Sequence, residues 1–190
     1  MLVMDTTRRS FIKNCGALTL GAAGGALLSS CTLGANETKN IRPKSFPLLK
    51  PLTSDQSKLV ESSYLANQDV KGYVKQGFGC GEIMMKAYIE KHQLSEDVLH
   101  SVVAFKNGFA LRDTCCLYST AIMIFGLSVK NLSDNRRERY RLCEAKIKRF
   151  RDWWKARSPM NCSDIFPACK NGYENQYKKV AYVVEEIAGD

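Results

Sequence analysis

The chain has 190 residues, eight cysteines and a formal net charge of +9. Once residues 1–30 are set aside as an export signal, residues 31–190 remain, a length that favours one compact domain over several. Export argues against a nucleic-acid partner, because an exported protein seldom meets nucleic acid. The basic charge is therefore taken to favour anionic lipid headgroups or an acidic protein.

The N-terminal segment combines a twin-arginine motif with a short apolar run. Residues 7–13 read Thr-Arg-Arg-Ser-Phe-Ile-Lys and resemble the consensus that directs proteins through the twin-arginine (Tat) export machinery. Residues 15–28 are too short and too rich in glycine to span a bilayer, so they are interpreted as the apolar region of a signal peptide. Arg8 and Arg9 are therefore predicted to carry the export signal. An ordinary secretory signal that contains two arginines is the alternative.

A lipidation site is predicted where this apolar run ends. Residues 28–31 read Leu-Ser-Ser-Cys and resemble a bacterial lipobox, so Cys31 is expected to be lipidated and to become the first residue of the mature protein. Its acyl chains would hold the protein on a membrane surface in the periplasm or at the cell surface. A cysteine at an ordinary cleavage junction is the alternative.

The predicted organisation has three parts. Residues 1–30 form a Tat-type lipoprotein signal peptide. Residues 31–52 form a lipidated tether, since Pro43, Pro47 and Pro51 keep a polar segment extended. Residues 53–190 form a helical domain that contains the other six cysteines.

Three helices are predicted in the first half of this domain. Thr53 or Ser54 could cap a helix that continues to residue 76. A second helix covers residues 80–92, because its apolar residues recur on one face. Ser95 is predicted to cap a third helix, which Gly108 ends.

The most apolar segment is residues 114–127, which are predicted to form the central helix of the domain. The segment is too short to cross a membrane. A buried strand is the competing interpretation, but alternation is missing and the length favours a helix. The sequence therefore predicts an all-α fold, a compact bundle of about five to six helices.

Residues 133–158 are predicted to form a long amphipathic helix. Its apolar stripe comprises Tyr140, Cys143, Ile147, Phe150 and Trp154. Eleven Lys or Arg residues lie between residues 130 and 157, against four acidic residues. Such a run usually forms a solvated helix face, and an anionic partner or a membrane surface is the alternative.

Two cysteines are predicted at helix N-termini. Cys80 opens the second helix, and Cys115 opens the central helix, with Asp113 or Thr114 as its cap. The macrodipole and the free N–H groups at a helix N-terminus favour a thiolate, which is the form that a metal ligand or a redox nucleophile needs.

The remaining cysteines and the histidines give weaker signals. Cys162 and Cys169 bracket a predicted loop, and their spacing permits either a disulfide or two ligands to one centre. Cys143 lies on an apolar stripe and is interpreted as a small core residue. His92 and His100 lack ligand-like spacing and are interpreted as structural or solvated.

The cysteine pattern resembles the C-GCAxxG-C-C family, which is described as redox-active and is named for four cysteines, the second of which starts a Cys-Gly-Ala-x-x-Gly motif. The resemblance spans roughly residues 70–185 and implies Cys80, Cys115, Cys162 and Cys169 as the four cysteines. Cys116 replaces the first glycine of the motif, Leu117 its alanine and Thr120 its second glycine. Adjacent residues of a helix point about 100° apart, so Cys115 and Cys116 are expected not to face one centre, and Cys116→Gly is expected to leave that centre intact.

Three functions remain open at this stage. In the first, the four cysteines hold an iron-sulfur cluster or another metal for electron transfer, which a Tat signal favours because Tat substrates fold, often around a cofactor, before export. In the second, the same residues form a thiol-disulfide oxidoreductase with Cys80 or Cys115 as nucleophile, acting on a redox partner protein. In the third, disulfides only stabilise a lipid-anchored helical binding domain, which needs no cofactor.

Overall fold

The computed structural model describes residues 52–169 and 173–190 of the chain, and for residues 166–169 it describes the backbone only. All of these residues belong to one compact unit, Glu37–Asp190. Three predicted residues of the export and lipidation signals, Arg8, Arg9 and Cys31, lie outside the described residues. The predicted boundaries at residues 30 and 52 therefore stay predictions.

The described residues form an all-α fold, as the sequence predicts, and contain no β-strand. They form eight α-helices, more than the five to six expected. A 3₁₀ turn (Val103–Phe105) and a π-helical turn (Gly108–Arg112) connect α4 to α5. The helices are α1 (Ser54–Glu61), α2 (Val70–Lys75), α3 (Cys80–His92), α4 (Asp97–His100), α5 (Cys116–Ser128), α6 (Arg136–Lys155), α7 (Cys162–Cys169) and α8 (Tyr173–Gly189).

The prediction of one continuous helix up to residue 76 is wrong, because this segment forms α1 and α2 with a turn between them. Thr53 caps α1 by accepting the N–H of Gln56. Leu65 and Ala66, in the turn, are fully buried. Asp69 then caps α2 by accepting the N–H of Gly72 at 2.9 Å. A second cap and the burial of the turn explain why the helix does not continue.

The third predicted helix is also interrupted, and Gly108 does not end it. Only α4 and the 3₁₀ turn form in this region. From Asn107 the backbone enters left-handed conformations, with a φ of 55° at Asn107 and 62° at Gly108. Phe109, Ala110 and Arg112 also have positive φ values. A right-handed helix cannot contain such residues, so the chain turns toward the start of α5.

Helix α5 lies at the centre of the domain, as predicted. It packs against α3, α6 and α8. Ala121, Ile124 and Phe125 are completely buried, which accounts for the apolar character of nearly every face of this helix. Because α5 is covered by three helices, its N-terminal end is held in a fixed position relative to α3.

Helix α6 buries part of the predicted stripe. Phe150 and Trp154 are fully buried, and Cys143 and Ile147 are half-buried. The assignment of Tyr140 to the core is wrong, because 68% of this residue is exposed. Tyr140 lies in the first two turns of α6. This part of the helix extends past the core, whereas the later turns pack against it.

The loop predicted between Cys162 and Cys169 is a helix, α7. Among the described helices, none combines the length and the apolar character that crossing a bilayer requires.

Candidate functional site

Four cysteines from three separate segments line one small cavity of about 70 Å³. Cys80 begins α3, Cys115 and Cys116 lie at the start of α5, and Cys162 begins α7. The cavity is otherwise mainly apolar. Its remaining lining residues are Leu117, Ile165, Tyr173 and Gln176.

Gly81 allows the N-terminal part of α3 to approach α5 closely. A Cβ atom at this position would lie 2.5 Å from Thr120 Oγ1 and 3.0 Å from the carbonyl oxygen of Cys116. Any larger residue would therefore push the two helices apart. The absence of a side chain at Gly81 is what brings Cys80 next to the start of α5.

A short pairing of two extended segments brings Cys162 to the same cavity. The N–H of Cys115 donates to the carbonyl of Met160 at 2.9 Å, and the N–H of Cys162 donates to the carbonyl of Asp113 at 2.6 Å. Thr114 and Asn161 form an antiparallel bridge between these bonds. The bridge fixes the start of α7 beside the start of α5.

The N-cap of α5 is Cys115 itself, and neither Asp113 nor Thr114 takes that position. Cys115 has φ −58° and ψ 130°, outside the helical range, and the helix begins at Cys116. The angular separation of about 100° applies between two residues that are both helical. The expectation that Cys115 and Cys116 cannot face one centre is therefore wrong, and both line the cavity.

Cys116 is the thiol that this arrangement ionises most readily. Its sulfur accepts hydrogen bonds from the thiols of Cys115 and Cys80 and from the N–H groups of Gly81 and Leu117. Burial opposes ionisation, but these bonds outweigh it, so the pKa of Cys116 lies well below its ordinary value. Hydrogen bonds to the charged form of a group favour that form.

Two neighbouring thiols, those of Cys115 and Cys162, ionise less readily than an ordinary cysteine. The pKa of Cys115 is raised well above its ordinary value, first because this thiol donates a hydrogen bond to Cys116 and then because it is buried. Burial and the charge on Cys116 raise the pKa of Cys162, which Arg112 partly offsets. Cys116 is therefore the thiol of this group that ionises before Cys115 and Cys162.

Three of the four sequence-predicted site residues meet in the cavity, and the described structure does not place the fourth side chain. Cys80, Cys115 and Cys162 line it, whereas only the backbone of Cys169, the last residue of α7, is described. Cys116 is the cavity residue that the sequence does not predict, since only one of Cys115 and Cys116 is expected to face the centre. Two adjacent cysteines at a helix N-terminus are the sequence signal that could have identified Cys116. One of the two can be the N-cap residue, and both can then face the same site.

The described side chains do not meet the geometric requirement of a metal site. Among them, no three Cys, His, Asp or Glu residues form a group that could hold a metal ion. A four-thiolate site would also require Cys169, whose side chain is not described. His92 and His100 are exposed and do not line the cavity, which agrees with their interpretation as solvated residues.

Cys143 lies outside the cluster. It is half-buried on α6, where it packs against the core, and burial raises its pKa. None of the five cysteines with described side chains forms a disulfide.

Comparison with protein families gives one match. The family model "Putative redox-active protein (C_GCAxxG_C_C)" matches residues 78–188, a range that includes every residue of the cavity. No curated protein and no solved structure shows a significant match.

Proposed function

Because the chain belongs to the C_GCAxxG_C_C family of redox-active proteins, we propose that it is a thiol-disulfide redox protein. The observation that carries this proposal is the convergence on one cavity of four cysteines, none of which is in a disulfide in the structure. Burial of a single free cysteine is common in protein cores. Packing does not explain four that meet from three segments distant in sequence, and the pKa of one of them, Cys116, is lowered.

The proposed chemistry is a dithiol-disulfide cycle. When two thiols of this protein form a disulfide, they lose two electrons and two protons, which a disulfide of a partner protein accepts. In the reverse exchange, two thiols of a partner protein reduce the disulfide of this protein. A thiolate is the nucleophile in each exchange, and the lowered pKa of Cys116 favours its thiolate form. The side chains that line the rest of the cavity are mainly apolar.

Titration of thiols under controlled oxidation tests the proposal. The purified mature protein is equilibrated with mixtures of oxidised and reduced glutathione, and free thiols are trapped with a maleimide. We expect two thiols of the cluster to disappear and to return on reduction, while Cys143 remains free. A thiol count that does not respond to the glutathione mixture contradicts the proposal.

The iron-sulfur or metal centre predicted from the sequence is the second candidate. Its support is that Cys80, Cys115 and Cys162, three of its four proposed ligands, face the same cavity. The described side chains do not form a metal-holding group, so the thiol cycle is the better-supported function. Stoichiometric metal in anaerobically purified protein, lost together with its visible absorption in Cys162→Ser and Cys169→Ser, would favour the metal centre instead.

We further propose that the protein works outside the cytoplasm, anchored to a membrane. The support is in the sequence: the twin-arginine motif at Arg8 and Arg9 and the lipobox that ends at Cys31. The expected partners are the Tat export machinery, the membrane that receives the lipid anchor, and a redox partner protein. The periplasm or the cell surface is the proposed location.

A further inference from the structure

The sulfur of Cys116 lies where the N-termini of two helices meet. It accepts the N–H groups of Gly81 and Leu117, each of which is the second residue of its helix. The N-cap residues of these helices, Gly79 and Cys115, provide no side-chain capping bond. Backbone donors at a helix N-terminus favour a negative charge. The position therefore stabilises a sulfur anion.

Cys80 is the more accessible neighbour of this sulfur. Only 8% of Cys116 is exposed, whereas Cys80 is half-buried. Both residues line the same cavity of about 70 Å³, and a hydrogen bond from the thiol of Cys80 lowers the pKa of Cys116. The two sulfurs are therefore close neighbours. Of the two residues, Cys80 is the one that is more exposed to solvent.

We propose that Cys80 and Cys116 form the redox-active disulfide and that this disulfide oxidises exposed dithiols of other proteins. The inference rests on the thiol redox function proposed above. It adds the pair of residues that react and the direction in which electrons flow.

The reaction consists of two exchanges. A thiolate of the substrate attacks Sγ of Cys80, the bond to Cys116 breaks, and its electron pair remains on Cys116 as a thiolate. The second thiol of the substrate loses its proton, attacks the substrate sulfur of the mixed disulfide and displaces Cys80, which takes up a proton. Overall, the substrate dithiol loses two electrons and two protons and gains a disulfide. The disulfide of the protein takes the two electrons, Cys80 takes one proton, and the other proton goes to solvent because Cys116 ends as a thiolate.

The hydrogen bonds around Cys116 set the direction of this reaction. They act on the thiolate and have little effect on a neutral disulfide sulfur, so they stabilise the reduced form of the protein. A dithiol whose reduced form is stabilised gives a more strongly oxidising disulfide, and a stabilised thiolate is a faster leaving group. Cys115, which donates one of these bonds, is a positioning residue.

Disulfide mapping and a glutathione equilibrium test the inference. Mass spectrometry of trapped, oxidised full-length mature protein should identify a Cys80–Cys116 disulfide, and Cys80→Ser and Cys116→Ser should each lose it. Cys115→Ala should keep the disulfide but make it about tenfold harder to reduce by glutathione, since it removes a hydrogen bond to a charged group. A peptide with two reduced cysteines should be oxidised by the wild-type disulfide.

The controls separate this inference from the function on which it rests. Cys143→Ala should match the wild type in mapping and in the glutathione equilibrium, and circular dichroism checks that every variant is folded. A reversible disulfide between another pair, such as Cys115 and Cys162, overturns the inference and leaves the proposed function standing. An unchanged equilibrium in Cys115→Ala, or a dithiol peptide that is not oxidised, overturns the direction. The absence of any reversible disulfide overturns both.

Discussion

The charged form of Cys116 is favoured by its surroundings, because its sulfur accepts hydrogen bonds from two thiols and two backbone N–H groups. The pKa of Cys116 is lowered as a result, so we expect one thiolate per molecule at pH values where an ordinary cysteine, with a pKa of about 8.5, is protonated. A pH titration that follows the ultraviolet absorbance of thiolates measures the ionisation of Cys116. Cys116→Ser and Cys116→Gly should abolish the absorbance at low pH, whereas Cys143→Ala should retain it. A titration that Cys116→Ser leaves unchanged would show that another cysteine holds the charge.

Close contact between α3 and α5 is the feature of the fold on which the cluster depends. Gly81→Ala places a Cβ atom 2.5 Å from Thr120 Oγ1 and 3.0 Å from a backbone oxygen of Cys116, so we expect a loss of about 1–3 kcal/mol in the free energy of unfolding. The thiolate absorbance should fall as the helices separate. Gly126→Ala is the matched control, since Gly126 lies in α5 with no atom within 4 Å of its Cβ position. That variant should be as stable as the wild type or more stable by up to about 1 kcal/mol. Urea denaturation measures both, and equal stabilities of the two variants would contradict the prediction.

Glu185 joins three parts of the fold and makes their association dependent on pH. This residue of α8 accepts hydrogen bonds from Ser63, from the N–H of Leu65 at 3.0 Å and from Lys91 of α3. Burial alone would raise the pKa of Glu185, but these bonds outweigh it and the pKa is lowered. A lowered pKa stabilises the folded protein above the unfolded value of about 4.3, and this contribution is lost as the pH falls through the folded value.

Replacing this carboxylate should therefore change the acid sensitivity of the protein. Glu185→Gln should lower the free energy of unfolding by about 1–3 kcal/mol at neutral pH. The difference from the wild type should shrink as the pH falls below about 4. Glu186→Gln, on the exposed side of the same helix, is the control and should have little effect. Urea denaturation at a series of pH values tests this, and a difference that is constant with pH would refute the assigned role.

At the scale of the whole molecule, export is predicted to depend on the two arginines of the signal. The Tat system recognises the arginine pair, so replacing Arg8 and Arg9 together by Lys should leave unprocessed protein in the cytoplasm. Cell fractionation followed by immunoblotting measures the distribution. Replacement of Lys13 by Arg keeps the arginine pair and serves as the control. Export of the double variant at the wild-type level would rule out the Tat route.

Membrane attachment is predicted to depend on Cys31. Cys31→Ser removes the sulfur that would carry the lipid, so labelled palmitate should not enter the variant, and the protein should no longer sediment with membranes. A Cys15→Ser variant controls for the loss of a cysteine from the same segment. Labelling of Cys31→Ser with palmitate would place the lipid elsewhere.

The sequence by itself determined the helical class of the fold, the central position of α5 and the start of α3 at Cys80, because these depend on local apolar patterns and capping residues. Family resemblance and helix N-termini also singled out Cys80, Cys115 and Cys162, which the structure brings to one cavity. Only the tertiary structure decided that Cys116 belongs to that site, because the cap position of Cys115 follows from its pairing with Met160, not from local sequence. Two predicted helices also break for reasons that hydrophobic periodicity does not indicate. The break after α1 reflects the burial of the turn, and the break after Val103–Phe105 reflects left-handed backbone. Long-range contacts, which select one local conformation among several allowed ones, account for these differences.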